Sequence, residues 1–239
     1  MSFKNKIIKN GILVLVTSLA ISACQKLDRP KLGDYPKDAN APGGPLKFYA
    51  AFDGTTSNPL MNAVDSIRAN FPSVNPLASV AGVSGKAVQG NGTQAIKYPS
   101  ANDFKGSTSC TIAMWVNNTV NPNTELYFSL ASKDYWHQSA AFLLVEHAKI
   151  DACTFKFALM DHWVEFPNQS FKRPLFDGQW HHLAFTYDET TSKLVIYFDG
   201  QVVPSPGTSG DLTNNGAPLG KLDLKTASNL VIGLSLTGS

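Results

Sequence analysis

DGQWHHLAFTYDETTSKLVIYFDGQVV, residues 177–203, is the stretch with the clearest secondary-structure pattern in the chain. Apolar and polar side chains alternate along 181–187 and again along 194–198, which is the period of a half-buried β-strand. A polar loop joins the two runs, and Asp199-Gly200 is a dipeptide favoured in tight hairpin turns. The stretch therefore predicts two paired strands followed by a second hairpin. The two faces of the first strand carry His182, Ala184 and Thr186 on one side and His181, Leu183, Phe185 and Tyr187 on the other.

Short runs of the same kind continue through the chain from Leu46 onward, separated by glycine, asparagine, aspartate and proline. Only residues 60–69 fit a helical period, and they fit a loop equally well. Many short strands with turn signals between them are typical of an antiparallel β-sandwich or jelly roll. The sequence thus predicts an all-β domain. Its predicted strands are residues 46–52, 87–89, 95–97, 110–117, 125–132, 141–146, 154–161, 164–167, 181–188, 193–198 and 230–232.

The first residues predict a lipoprotein signal peptide. Lys4, Lys6 and Lys9 precede an apolar run at 11–21, which is shorter than the roughly 20 residues that a membrane span needs. Small residues then lead to Cys24, an arrangement that resembles the bacterial lipobox, whose cysteine is lipidated and becomes the new N-terminus. An ordinary signal peptide followed by a chance cysteine is the alternative.

We therefore expect residues 1–23 to be removed and Cys24 to anchor the protein in a membrane of the cell envelope. The outer membrane is favoured, with the domain on its periplasmic or its outer side. Residues 24–45, rich in proline and glycine, predict an extended tether, and the domain is expected to span 46–239. Removing the three lysines of the signal from the formal net charge of +2 leaves −1. Such a charge provides no basic surface for nucleic acid.

Several motifs resemble those of one protein family. WHHLAFTYD at 180–188, followed by LVIYFDG at 194–200, resembles the laminin G-like members of the concanavalin A-like lectin/glucanase group. FKGSTSCTIAMWV at 104–116 is similar to a second strand of that family. FYAAFDG at 48–54 and GKAV at 85–88 resemble its opening strand and the turn that follows.

This resemblance covers about residues 46–239 and implies a concanavalin A-like jelly roll, with Trp115 and Trp180 as core aromatics. Domains of the family usually end in a strand that returns beside the first one. No segment up to residue 239 resembles that closing strand. Either the closing strand is absent or the sequence is a fragment of a longer chain, and we expect the second.

Neither the histidines nor the cysteines predict a transition-metal site. His181 and His182 are neighbours on a predicted strand, so their side chains point to opposite faces and cannot bind one ion together. The family resemblance also places both in a structural strand. Cys110 and Cys153 either pair in an oxidising compartment or remain buried free thiols. No cysteine–histidine cluster indicates zinc.

Calcium is implied by the resemblance, because many domains of this family bind it through loop oxygens. Asp53 and Asn58 are the candidate ligands. An ordinary Asp-Gly turn at Asp53 is the alternative.

The carboxylates argue against glycoside hydrolysis. Related glucanases carry two catalytic carboxylates on one strand face, and a retaining mechanism needs them about 5 Å apart. Asp161 and Glu165 are four residues apart, but the residues around them lack a second glutamate. We therefore expect a protein that is not an enzyme. The glutamates of the chain are Glu125, Glu146, Glu165 and Glu189.

Two segments combine an indole with hydrogen-bonding side chains, which is what a sugar site needs. The first segment, residues 135–138, is predicted to lie in a loop, and the second, residues 161–163, is predicted to lie at the end of a strand. Packing of both indoles at the sandwich edge is the alternative. The sequence predicts non-catalytic binding of a polysaccharide or other glycan. Adhesion to a protein or cell-wall partner, or an accessory role beside a glycan-degrading enzyme, are alternatives. The candidate ligand-binding residues are Trp136, His137, Gln138, Asp161, His162 and Trp163.

Overall fold

A computed structural model describes residues 44–52, 62–64, 67, 69, 77–98, 102–131, 139–160, 162–206, 213–214 and 217–236. Apart from a short 3-10 helix at Asn102–Gly106, the regular elements of this part are β-strands. In chain order they are β1 Ala78–Ala81, β2 Lys86–Gln89, β3 Ile96–Tyr98, β4 Cys110–Thr119, β5 Thr124–Ala131, β6 Ala141–Lys149, β7 Ala152–Leu159, β8 His162–Phe171, β9 Asp177–Asp188, β10 Lys193–Phe198, β11 Gln201–Val203, β12 Thr213–Asn214, β13 Ala217–Pro218 and β14 Asn229–Leu236.

The strands form two main antiparallel sheets. One has six strands in the order β3-β14-β5-β6-β7-β8, and the other has four in the order β11-β10-β9-β4. Two short hairpins, β1-β2 and β12-β13, complete the described strands. The predicted all-β, antiparallel sandwich is confirmed.

Strand alternation decides which side chains form the core between the two sheets. In β9 the inward positions are buried, and the positions between them are partly exposed. Phe185 of β9 stacks on Phe157 of β7 with ring centroids 4.3 Å apart and planes 9° apart, which joins the two sheets. Phe155 stacks in the same way on Phe171 at 4.3 Å. Because these rings come from both sheets, the core depends on the correct register of each. The buried β9 residues are His181, Leu183, Phe185 and Tyr187.

The segment 46–52, predicted as a strand, is irregular. Its Phe48 ring packs edge-on against Tyr98, with centroids 4.9 Å apart. The Tyr49 amide donates to the Asn62 side chain at 3.0 Å, and the Ala63 amide donates to the Tyr49 carbonyl at 2.8 Å. The segment is therefore held by hydrogen bonds to the turn at residues 62–64 and not by pairing with a described strand. Its Phe48 and Phe52 side chains still pack against the core.

The two cysteines do not pair. Cys110 and Cys153 are free thiols that lie in different sheets, and Cys153 is fully buried. Burial raises the pKa of Cys110 to about 11 and that of Cys153 to about 12. The thiolate is therefore scarce at neutral pH, and the disulfide alternative is wrong for this structure.

The described part of the chain contains no helix with the length and apolar character needed to cross a membrane.

Candidate functional site

Most of the sequence-predicted site residues lie outside the described residues. The calcium prediction therefore stays a prediction, as does lipidation. Across the described part, no three His, Cys, Asp or Glu side chains gather where they could hold a metal ion. The predicted residues outside the described part are Cys24, Asp53, Asn58, Trp136, His137, Gln138 and Asp161.

His162 and Trp163 begin β8, the edge strand of the six-stranded sheet. His162 is tied to the chain by a 2.7 Å hydrogen bond between its Nδ1 and the Met160 carbonyl. The Trp163 side chain is 53% exposed, but the Lys156 ammonium lies 4.9 Å from its ring centroid. Lys156 is held there by an ion pair with Glu165 at 3.1 Å. A ligand that stacked on that face of Trp163 would have to displace Lys156.

The topology places the flanks of both predicted segments at one end of this sheet. Leu130 pairs with Ala141, Ala141 pairs with Leu159, and Leu159 pairs with His162. The β5–β6 and β7–β8 connections therefore leave the sheet at the same end. The sequence did not predict this proximity, because it depends on which strands pair.

Trp115 and Trp180, which were predicted to be core aromatics, instead lie on the outer face of the four-stranded sheet. The Trp115 side chain is 53% exposed. The inward positions beside it in β4 are Met114 and Val116, which pack against the core. Side chains alternate along a strand, so Trp115 must point outward. The same alternation places Trp180 opposite the buried His181.

These indoles line a cleft of about 480 Å³ with His182, Asp199 and Gly200, which we call the outer cleft. Trp115 and His182 are paired across β4 and β9, and their ring centroids are 5.0 Å apart with planes inclined by 56°. Trp180 pairs with Asn117, one row further along the same face. The outer cleft thus presents two indoles and an imidazole from two neighbouring strands.

Asp199 fixes one wall of the outer cleft. Asp199 and Gly200 have φ values of 49° and 75°, which the hairpin turn between β10 and β11 requires. Asp199 Oδ1 accepts the His182 amide at 2.8 Å, and Asp199 Oδ2 accepts from His181 Nδ1 at 2.8 Å. The Asp199 amide donates to the His182 carbonyl at 2.9 Å. Asp199 therefore positions His182 and the turn.

His181 is the buried counterpart of His182, in agreement with its predicted structural role. Its Nε2 lies 3.1 Å from Asp177 Oδ1, so both ring nitrogens have carboxylate partners. Burial by itself would lower the pKa of His181, but the hydrogen bonds and charges of Asp199 and Asp177 outweigh it and raise that pKa above 6.5. The Gln179 amide, helped by His181, lowers the pKa of Asp177 below 3.8.

The nitrogen atoms of the outer-cleft rings are available to hydrogen-bond to a ligand. Within the described part of the chain, neither indole N–H and neither ring nitrogen of His182 has a hydrogen-bond partner in the protein. Indole N–H groups donate, and a neutral imidazole both donates and accepts. The outer cleft therefore combines aromatic faces with unused hydrogen-bonding groups, the combination that a sugar ring requires.

The glutamates of the six-stranded sheet are engaged with neighbouring side chains. Glu125 accepts from Asn121 at 2.9 Å, and burial raises the pKa of Glu125 against that hydrogen bond. Glu146 accepts from the Thr124 hydroxyl at 3.1 Å. In the outer cleft, the described lining contains one carboxylate, Asp199. Hydrolysis by the two-carboxylate mechanism would require a second.

The His181 contacts predict a pH-dependent stability. Because its folded pKa is raised, protonated His181 contributes stability that is fully present below pH 6.5 and is lost as the pH rises through the raised pKa. We expect the difference in free energy of unfolding between the wild type and H181Q to be largest at about pH 5 to 6 and to shrink at higher pH. Urea unfolding across this range measures it, with H182Q as the matched control. A difference that is constant up to pH 9 would contradict the ion-pair role.

Comparison with solved structures finds matches at low sequence identity. Domain 4 of AbnA, a GH43 extracellular arabinanase from Geobacillus stearothermophilus, in complex with arabinotriose, is 20% identical with a TM-score of 0.42, over 80% of this chain and 94% of that one. The carbohydrate-binding module CBM66 from Bacillus subtilis is 16% identical with a TM-score of 0.31, over 66% and 88% of the chains. A search of the curated proteins finds no match.

A family match covers the part of the chain that contains the outer cleft and Trp163. The family described as the concanavalin A-like lectin/glucanases superfamily matches residues 90–224, more than half of the chain. This range includes the whole of β4 to β11 and all the residues of the outer cleft. The resemblance seen in the sequence and the sandwich seen in the structure agree with it. The chain belongs to the concanavalin A-like lectin/glucanase superfamily.

Proposed function

We propose that the protein binds carbohydrate without hydrolysing it, and that the outer cleft is its binding site. The observation that carries this proposal is the half-exposed Trp115 indole beside Trp180 and His182. An indole kept in water loses the free energy that its burial would provide, about 1.5–3 kcal/mol for a large apolar side chain. Two of them in one cleft, with free N–H donors, suit the apolar face and hydroxyl rim of a sugar ring.

The arrangement of the outer cleft also supports binding without large rearrangement. Asp199 holds the His182 backbone and the turn through three hydrogen bonds, two to His182 and one to His181. Trp115 and His182 are fixed opposite each other by the β4–β9 ladder. Rings held on rigid strands lose little conformational entropy when a ligand arrives.

The non-catalytic part of the proposal rests on the carboxylates. Both oxygens of Asp199 already accept hydrogen bonds from the β9 strand. No second acid from the described residues lines the outer cleft. In the proposed function, the protein therefore binds a glycan and does not cleave it.

The cellular setting is proposed from the sequence. Cys24 would carry the lipid, and residues 24–45 would act as a tether that keeps the domain away from the membrane surface. A calcium site at Asp53 and Asn58 is retained as a proposal within the same domain.

Affinity electrophoresis tests the proposal. The full chain is run through native gels containing soluble β-glucan, xylan, arabinan, galactomannan, polygalacturonate or alginate, with calcium and with EDTA. We expect at least one polysaccharide to retard the protein, and loss of retardation in EDTA would make calcium part of binding. A folded protein that no polysaccharide retards would overturn the proposed function and favour a protein partner.

A further inference from the structure

The outer face of the four-stranded sheet continues past the outer cleft as a shallow groove. Next to the row formed by Trp115 and His182 lies a row in which Ala113 pairs with Ala184, and Ala184 pairs with Tyr197. Residues two apart on a strand share a face, so all five side chains point outward. Because alanine side chains are small, Ala113 and Ala184 form the floor of the groove, next to the Trp115–His182 row.

Tyr197 and Val202 border this floor on the side of β10 and β11. They are directly paired, and Val202 is exposed while Tyr197 is partly exposed. Within the described part of the chain, the Tyr197 hydroxyl has no hydrogen-bond partner in the protein. Tyr197 thus offers the same combination as the outer cleft, an accessible ring face with an unused polar group.

The length of the surface exceeds a single sugar ring. Trp180 and Ala184, which lies beside Tyr197, are four residues apart on β9. At about 3.3 Å per residue, this separation is roughly 13 Å along the strand. A single pyranose ring on Trp115 and Trp180 would leave the floor and Tyr197 uncovered.

The charge on this face selects among polysaccharides. Asp199 lines the outer cleft, and both of its carboxylate oxygens accept hydrogen bonds from β9. The outward side chains on the strands of these rows and of the next row, Thr111–Thr186–Val195, include no Asp, Glu, Lys or Arg. The Asp188–Lys193 pair lies one row further on. Binding of an acidic polysaccharide would favour Lys or Arg side chains on this face, where they could pair with its carboxylates. The outward side chains are Thr111, Ala113, Trp115, Asn117, Trp180, His182, Ala184, Thr186, Val195, Tyr197 and Val202.

We propose that the outer cleft and the groove together bind several consecutive rings of an uncharged polysaccharide. Trp115 and Trp180 contact one ring, and Tyr197 contacts a ring further along the same chain. This inference rests on the proposed function and deepens it, because it states the class of glycan and makes Tyr197 a specificity-determining residue for chain length.

Calorimetric titration of the full chain tests the inference. The probes are the monosaccharide to hexasaccharide series of whichever neutral polysaccharide in the gel panel retards the protein most. We expect affinity to rise about 10-fold or more between the monosaccharide and the longer oligosaccharides and then to level off. We expect Y197A to weaken hexasaccharide binding about 5- to 10-fold while leaving the shortest binding sugar unaffected.

Controls separate this inference from the proposed function. Y197F keeps the ring and reports on the hydroxyl alone, and Y49A removes an exposed tyrosine that lies outside these rows. A hexasaccharide that binds no tighter than the monosaccharide, or a Y197A effect equal for all lengths, would overturn the inference while leaving the proposed function standing. Tighter binding of polygalacturonate or alginate than of every neutral polysaccharide would overturn the uncharged class. Failure of every polysaccharide to bind would overturn both proposals.

Discussion

Replacing Trp115 with alanine is expected to weaken polysaccharide retention by about 30-fold or more. The substitution removes the most exposed ring of the outer cleft and its N–H donor together. Aromatic residues at the centre of a binding site commonly contribute about 2 kcal/mol or more, which corresponds to this change in the dissociation constant. Affinity electrophoresis over a range of polysaccharide concentrations gives the dissociation constant of each variant directly.

Trp163 provides the matched control for that experiment. Its side chain is exposed to the same extent as that of Trp115, 53%, but it lies on the other sheet and carries Lys156 over its ring. We expect W163A to change retention by less than about threefold, the range of peripheral contacts. Loss of retention in W163A but not in W115A would move the site to the six-stranded sheet, which carries the predicted ligand-binding residues His162 and Trp163.

Loss of folding must be excluded as the cause of any effect. Trp115 points away from the core, so W115A should alter the free energy of unfolding far less than a core substitution would. Thermal unfolding of wild type, W115A and W163A checks this before binding is compared. A large drop in stability for W115A would mean that the ring packs against the sheet more than its exposure indicates.

The sequence predicted the strands of the site well, because alternation is a local signal. The alternation in the sequence assigned the residues of β9 to two faces. One of those faces is the set that the structure buries, namely His181, Leu183, Phe185 and Tyr187. The same alternation places Trp180 with His182 on the outward face. That signal was present in the sequence, but similarity to a family strand led to a core assignment for Trp180.

Which residues meet in the outer cleft depends on which strands pair, and a single sequence does not show this. Trp115 and His182 are far apart in the chain and meet only because β4 pairs with β9. Period-two alternation assigns a face to each residue but no neighbour across the sheet. Likewise, the position of the Lys156 ammonium over the Trp163 ring follows from the β7–β8 register, so this contact could not be predicted from the sequence.

Replacing Phe185 with alanine is expected to lower the free energy of unfolding by about 3–5 kcal/mol. Phe185 is 1% exposed and stacks on Phe157 across the sandwich at 4.3 Å, with Phe155 at 6.0 Å. Removing the ring leaves a cavity between two sheets whose strands are fixed by their ladders and cannot close it fully. The expected loss is a large fraction of the roughly 5–15 kcal/mol by which a domain is stable. Urea unfolding measures it, and F185L keeps the comparison possible if the alanine variant does not fold.

T186A is the matched control, because Thr186 is the next residue on β9 and faces outward. We expect it to change the free energy of unfolding by about 0.5 kcal/mol or less. A shift of one residue in register would exchange the two faces and with them the two results. The same shift would move Trp180 and His182 into the core. A stability loss in T186A that equalled the loss in F185A would therefore contradict the register of β9 and remove the outer cleft with it.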